Sequence, residues 1–140
     1  MLLPLSWLKE YVEIKIPFKD LAWKLSAAGL TVESWSEKDG EIIFDPEVTP
    51  NRPDWLSVYG VAREIAAVTN SKLRPSLKLR PASKTPISKS LKINIIPNYK
   101  IVPRITSVII KNVTVKPSPP WLQKRIIQIG LRPINNLVDI

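Results

Sequence analysis

Residues 73 to 90, LRPSLKLRPASKTPISKS, constrain this chain most, because they cannot belong to a packed core. Three prolines remove backbone donors, four serines and five basic side chains favour water, and few large apolar residues are left to bury. The stretch reads as a linker, able to span on the order of 55 Å when extended. It divides the 140 residues into two parts of opposite charge. Residues 1 to 72 hold 8 Lys+Arg against 11 Asp+Glu, whereas residues 73 to 140 hold 13 Lys+Arg against the single acid Asp139. A half so basic suits a polyanion such as RNA, although a lysine-rich solubility surface has the same composition.

Before the linker the pattern is mainly helical. Ser6 is a candidate cap for a short helix through WLKEYV, and Pro17 closes the extended EIKI after it. In FKDLAWKLSAAGL, Leu21, Leu25 and Ala28 fall on one helical face with Ala22 and Leu30 beside them, and Gly29 is placed to end the helix. VESWSEKDGEIIFDPEV reads as two strands turning at Asp39-Gly40. A further helix is expected from TPNRPDW onward, with Asn51 or Asp54 as cap, Pro53 in the first turn and Val58, Ala62 and Ile65 on one stripe.

After the linker, LKINII and RITSVIIKNVTV carry strand patterns. Ser118 and Pro119 then announce a helix that Gly130 ends, with Ile126 and Ile129 on its apolar stripe and Trp121 anchoring it to the sheet. NNLVDI reads as the start of another strand. The fold class is therefore α+β. It comprises a small helical domain with a hairpin at 1–72, the basic linker at 73–90, and the opening of a second α+β domain at 91–140.

Two absences restrict the chemistry. The sequence has no histidine and no cysteine, which excludes Ser-His relays, thiolate chemistry, disulfides and the usual zinc sites. Its four glycines are too scattered for a phosphate-cradling loop. Asp45 and Glu47, two apart on a strand, share a side but lack any positioned partner. No apolar run reaches the length of a membrane span, and the start lacks the basic leader of a signal peptide, so no membrane and a cytoplasmic location are expected.

Three stretches in order carry a family resemblance: LPLSWLKEYVEIKIPFKDLAWKLSAAGLTVE, DPEVTPNRPDWLSVYGVAREIAAVT and SPPWLQKRIIQIGLRPINNLVDI. The first resembles the opening of the β subunits of bacterial-type phenylalanine–tRNA ligases, the second the completion of their first small domain, and the third the start of their tRNA-editing domain. LKINIIPNYKIVPRITSVIIKNVTV precedes the third as that family would have it. The resemblance implies a front portion of a β subunit within an assembly of two α and two β subunits that attaches phenylalanine to its tRNA with ATP and magnesium. The α subunit would perform aminoacylation. This chain alone would be non-catalytic and bind no cofactor, serving as a structural, tRNA-proximal part.

The family often inserts an oligonucleotide-binding barrel between the AGLTVE and TPNRPD segments. Here only a hairpin's length of chain separates them, so the barrel is expected to be absent. The resemblance places Arg132, in GLRPINN, in an editing pocket left incomplete by the end of the sequence; spacing alone favours a helix-terminal arginine capping carbonyls ahead of Pro133. Candidate RNA-proximal cations are Arg52, Arg74, Lys78, Arg80, Lys84 and Lys89, with Arg52 alternatively pairing with Asp54 or Glu64. Tryptophans could stack on bases, but at least three of Trp7, Trp23, Trp35 and Trp55 are expected in the core. A second functional reading, a stand-alone basic RNA-binding module without enzymatic activity, fits the charge equally well.

Overall fold

The computed structural model describes residues 1–74 and 110–140. Leu3–Pro4 forms a two-residue strand, β1, that runs directly into helix α1, Leu5–Tyr11. Helix α2 follows at Phe18–Ala27, then strands β2, Val32–Lys38, and β3, Glu41–Pro46. A short 3-10 turn at Pro53–Leu56 leads into α3, Val58–Thr69. Helix α4 occupies Pro120–Gln128. The described residues thus combine helices with one three-stranded antiparallel sheet of order β1-β3-β2, an α+β arrangement.

The hairpin forms where Asp-Gly placed it. Lys38 pairs with Glu41, leaving Asp39 and Gly40 as a two-residue loop in which both have positive φ, 52° and 71°. That is the primed turn whose twist matches the flanking strands. Gly29 at φ 100° ends α2 as expected, with Leu30 N donating to Leu25 O at 3.0 Å and Gly29 N to Ser26 O at 3.1 Å. Because Leu25 and Leu30 are both buried, the cap also delivers the chain back into the core. Ala28 caps the helix and is exposed, so it leaves the apolar face that its spacing suggested.

α3 ends the same way with Asn70 in place of glycine: its φ is 51°, and Ser71 N donates to Ala66 O. Its start differs from expectation. Neither Asn51 nor Asp54 caps it; the Ser57 hydroxyl does, accepting from Gly60 N at 3.0 Å, because Pro53 opens a separate 3-10 turn first. Ser6 likewise does not cap α1. Pro4 precedes that helix, and the Ser6 N–H donates to Glu41 Oε1 at 2.8 Å, tying α1 to β3.

The core lies between α1, α2, α3 and the inner face of the sheet: Leu3, Leu8, Leu21, Leu25, Phe44, Val61, Ala62 and Ile65 are all buried there. Leu73 and Arg74, the first residues of the expected linker, return to α1, Leu73 bridging to Val12 and Arg74 N donating to Tyr11 O at 2.6 Å. The strand expected at 91–96 lies outside the described residues. Of the strand expected over 104–115, residues 110–115 take no strand, with Asn112 at φ 58° breaking the extended run. Residues 116 to 140 belong to one compact unit with the amino-terminal residues.

The tryptophans depart from expectation. Trp55 is 2% exposed, but Trp23 is 71% and Trp35 44% exposed, and Trp7 is half-buried. Trp35 sits on the edge strand β2, reaching Phe18 edge-on at 4.7 Å between centroids. Trp121 does not anchor α4: it is 61% exposed, and Ile126 is the buried residue of that helix.

Candidate functional site

α4 begins with Pro119 as cap and Pro120 at its first position, one residue later than expected. Gly130, at φ 82°, ends it through Leu131 N to Ile126 O at 2.9 Å. The helix contains Lys124 and Arg125 and no acid. Arg125 pairs with Glu10 of α1, and its guanidinium carbon lies 4.9 Å from the Trp7 ring and 5.7 Å from the Trp121 ring. Through Glu10 and Trp7, Arg125 ties α4 to α1, while its contact with Trp121 stays within α4.

NNLVDI forms a turn and not a strand, because its polar side chains satisfy local backbone. Asn135 Oδ1 accepts from Leu137 N at 3.0 Å and Val138 N at 3.1 Å. Lys116 and Asn136 exchange two bonds, of 2.9 and 3.0 Å. Ser118 caps no helix; its hydroxyl donates to Asp139 Oδ2 at 2.5 Å, and Ile134 N donates to Asp139 Oδ1 at 2.9 Å. The Ser118 bond, aided by these backbone donors, holds the Asp139 carboxyl below its ordinary value.

Arg132 stands on the wall of the cleft that results. The cleft, about 390 Å³, is lined by Trp7, Ile126, Ile129, Ile134 and Val138 with Arg125 and Asp139. Arg132 is exposed, and no carboxylate pairs with it among the described residues. Its fork of donors is therefore available to a phosphate or carbonyl oxygen. The Trp7 indole N–H, on the same cleft, is buried without an acceptor among the described residues.

The other candidates separate clearly. Arg52 is held by both expected carboxylates: Nε and Nη2 donate to Asp54 at 3.0 and 2.9 Å, and Nη2 to Glu64 Oε2 at 2.8 Å. Its guanidinium lies over Trp55, whose Nε1 donates to the same Glu64 oxygen at 3.1 Å. Hydrogen bonding to Asp54, then to Glu64, pushes Arg52 further above its already high range, and the Arg52 bond depresses Asp54. Arg74 is exposed beside Tyr11. Lys78, Arg80, Lys84 and Lys89 lie outside the described residues. Asp45 accepts from the amino terminus at 3.1 Å, which gives it a structural partner the pattern did not reveal. Among the described residues no cluster of acids is arranged to hold a metal ion.

Sequence reasoning missed the Arg125 clamp, since Glu10 is 115 residues away. It also missed the cleft between α4 and the hairpin tip, about 430 Å³, lined by Lys38, Asp39, Gln123, Lys124, Ile127 and Gln128.

A protein-family model, the B3/4 domain, matches residues 101–140. The phenylalanine–tRNA ligase β subunit of Rhodopirellula baltica is 39% identical over 142 aligned residues, covering all of this chain and 20% of its own length. That of Carboxydothermus hydrogenoformans is 42% identical over 115 residues, 80% of this chain and 14% of its own. The chain is a homologue of part of the phenylalanine–tRNA ligase β subunit. A third relative, the β subunit of Dehalococcoides mccartyi, is 45% identical over 105 residues, 74% of this chain and 13% of its own. The chain thus spans a fifth or less of the length of the β subunits it matches. No solved structure matches it significantly. No described helix is long and apolar enough to cross a membrane.

Proposed function

We propose that this chain is a structural, RNA-proximal portion of a phenylalanine–tRNA ligase β subunit that works with an α subunit, in an assembly of two of each, in the cytoplasm. The observation that carries this reading is the 39% identity to such a subunit across the whole chain. The assembly would join phenylalanine to its tRNA with ATP and magnesium, both engaged by the α subunit and not by these residues. Residues 1–72 serve as the small amino-terminal domain and 91–140 as the opening of the editing domain, joined by 73–90. The inserted barrel is absent on this reading. In support, the R. baltica alignment spans 142 positions against 140 residues, so no domain-sized insertion separates the two aligned segments.

Arg132 takes the part of an editing-pocket arginine. Its support is an exposed guanidinium, free of carboxylates among the described residues, on the wall of an apolar cleft. Arg74, Lys78, Arg80, Lys84 and Lys89 remain the RNA-proximal candidates, supported by the charge of their segment, while Arg52 contributes chiefly to the fold through its two carboxylates.

Co-expression with a bacterial α subunit tests the reading. Co-elution of the two chains, with no phenylalanine-dependent pyrophosphate exchange by the β-like chain alone, is the expected result. Elution of a free chain would favour the stand-alone RNA-binding module, for which the surplus of 13 cations over one acid after residue 72 speaks.

A further inference from the structure

Three tryptophans stand exposed on this molecule, and only one has cations around it without acids on its own element. Trp23 and Trp35 lie on α2 and β2, where Asp20, Glu33 and Glu37 offset Lys19, Lys24 and Lys38. Trp121 lies on α4, which has no acid, and residues 116 to 140 of the same compact unit carry Lys116, Lys124, Arg125 and Arg132 against Asp139 alone. That one carboxylate is engaged by Ser118 and the Ile134 amide. Arg125 is already paired with Glu10, so it stiffens the Trp121 side chain instead of serving as a free cation. Lys124 is exposed, with no ion-pair partner among the described residues, and lines the cleft to the hairpin tip. Across that cleft stand Lys38 and one carboxylate, Asp39, while Gln128 lines it from α4 itself.

We infer that α4 is a docking platform for single-stranded RNA, with one base stacked on Trp121 and the backbone held by Lys124 at the mouth of the cleft to the hairpin tip. An exposed indole costs solvation unless something covers it, and a base supplies a flat apolar face of matching size. Lysines nearby supply the counter-charge that a peptide or lipid tail would not need. The cleft, at about 430 Å³, has room for a nucleotide, and Gln128 offers an amide that can both donate to and accept from a base edge. The inference deepens the RNA-proximal reading above but does not depend on an α subunit.

The test measures fluorescence anisotropy of a labelled 12-nucleotide oligo(U) RNA titrated with the full 140-residue chain. Trp121→Leu should weaken binding about 5- to 150-fold, the range expected for losing one stacked base. Trp121→Phe should recover most of it. Trp23→Leu, at a more exposed indole but on balanced ground, should bind as the parent does. Lys124→Ala should weaken binding and flatten the salt dependence by roughly one phosphate contact. Since Trp121 is exposed, its variants should keep the parent melting temperature. Parent-like RNA binding by Trp121→Leu would overturn the inference, as would an equal loss in Trp23→Leu. Loss of α-subunit co-elution by Trp121→Leu with RNA binding intact would make the face a protein contact and would also overturn it. Failure of the parent chain to bind the α subunit would overturn only the ligase reading.

Discussion

Glu64 Oε2 receives two donors at once, Arg52 Nη2 at 2.8 Å and Trp55 Nε1 at 3.1 Å. One carboxylate oxygen on α3 thereby fixes both the 3-10 turn at Pro53–Leu56 and the largest buried side chain of the core. Removing it strands a buried indole N–H. Glu64→Ala should cost about 1–3 kcal/mol, the penalty for an orphaned buried donor. Glu64→Gln keeps an acceptor and should cost less. Urea unfolding of the two variants checks the order; equal midpoints for alanine and parent would contradict it.

Two glycines should respond very differently to alanine. At Gly60 an added Cβ would fall 1.7 Å from the backbone oxygen of Asp54, so the 3-10 turn and α3 must separate. At Gly40 nothing lies within 4 Å, and only the positive φ of 71° opposes a side chain. Gly40→Ala should therefore cost on the order of 1 kcal/mol. Gly60→Ala should cost about 1–3 kcal/mol or more, as overpacking against backbone does. Thermal melts of both variants decide the order.

The signals that the sequence made legible are local ones. Gly29, Asp39-Gly40 and Gly130 each ended or turned an element as expected, because positive φ is a property of the residue itself. Where competing local chemistries met, reading failed: Asn51, Asp54 and Ser57 are all capable caps, and only the length of the Pro53 turn chose Ser57. β1 was invisible, since two residues carry no period and Leu3–Pro4 is extended only by pairing with Ile43 and Phe44. Trp23, Trp35 and Trp121 share their residue type with buried Trp55; which face meets the core depends on the packing of whole helices and strands. Arg132 was legible as a candidate through resemblance, but its cleft required Trp7 from the other end of the chain.

α4 should detach before the amino-terminal core melts. It buries one residue, Ile126, and is otherwise held chiefly by Arg125, through Glu10 and Trp7, with the side chains of the ion pair partly exposed. Such pairs contribute little, on the order of 1 kcal/mol or less. Ile126→Ala removes the main apolar contact, about 2–4 kcal/mol by analogy with other large-to-small core changes. Hydrogen exchange should then show lost protection over 120–131 while α3 amides at 61–68 hold theirs. Coincident loss in both helices would mean that one cooperative unit unfolds together.

Acid should open the carboxy-terminal turn through Asp139. Its folded pKa lies below the ordinary 3.8 because the Ser118 hydroxyl and the Ile134 and Asn135 backbone amides favour the ionised form. A depressed carboxylate contributes stability that is complete above the unfolded pKa and lost as pH falls through the folded one. Protonation also removes acceptor capacity from Oδ1 and Oδ2, the oxygens that bind Ile134 N and Ser118. The 131–139 segment should therefore keep its amide protection from neutral pH down to the ordinary carboxylate value and lose it below. With no histidine in the chain, no step is expected near pH 6.5. Asp139→Asn should abolish the acid opening of this segment, since no other side chain of 131–139 then titrates in acid and only the α-carboxylate of Ile140 remains to shift nearby signals. Amide chemical shifts of residues 134 and 139, followed from neutral pH into acid, report it; an acid transition that persists unchanged in the asparagine variant would assign the opening to another group.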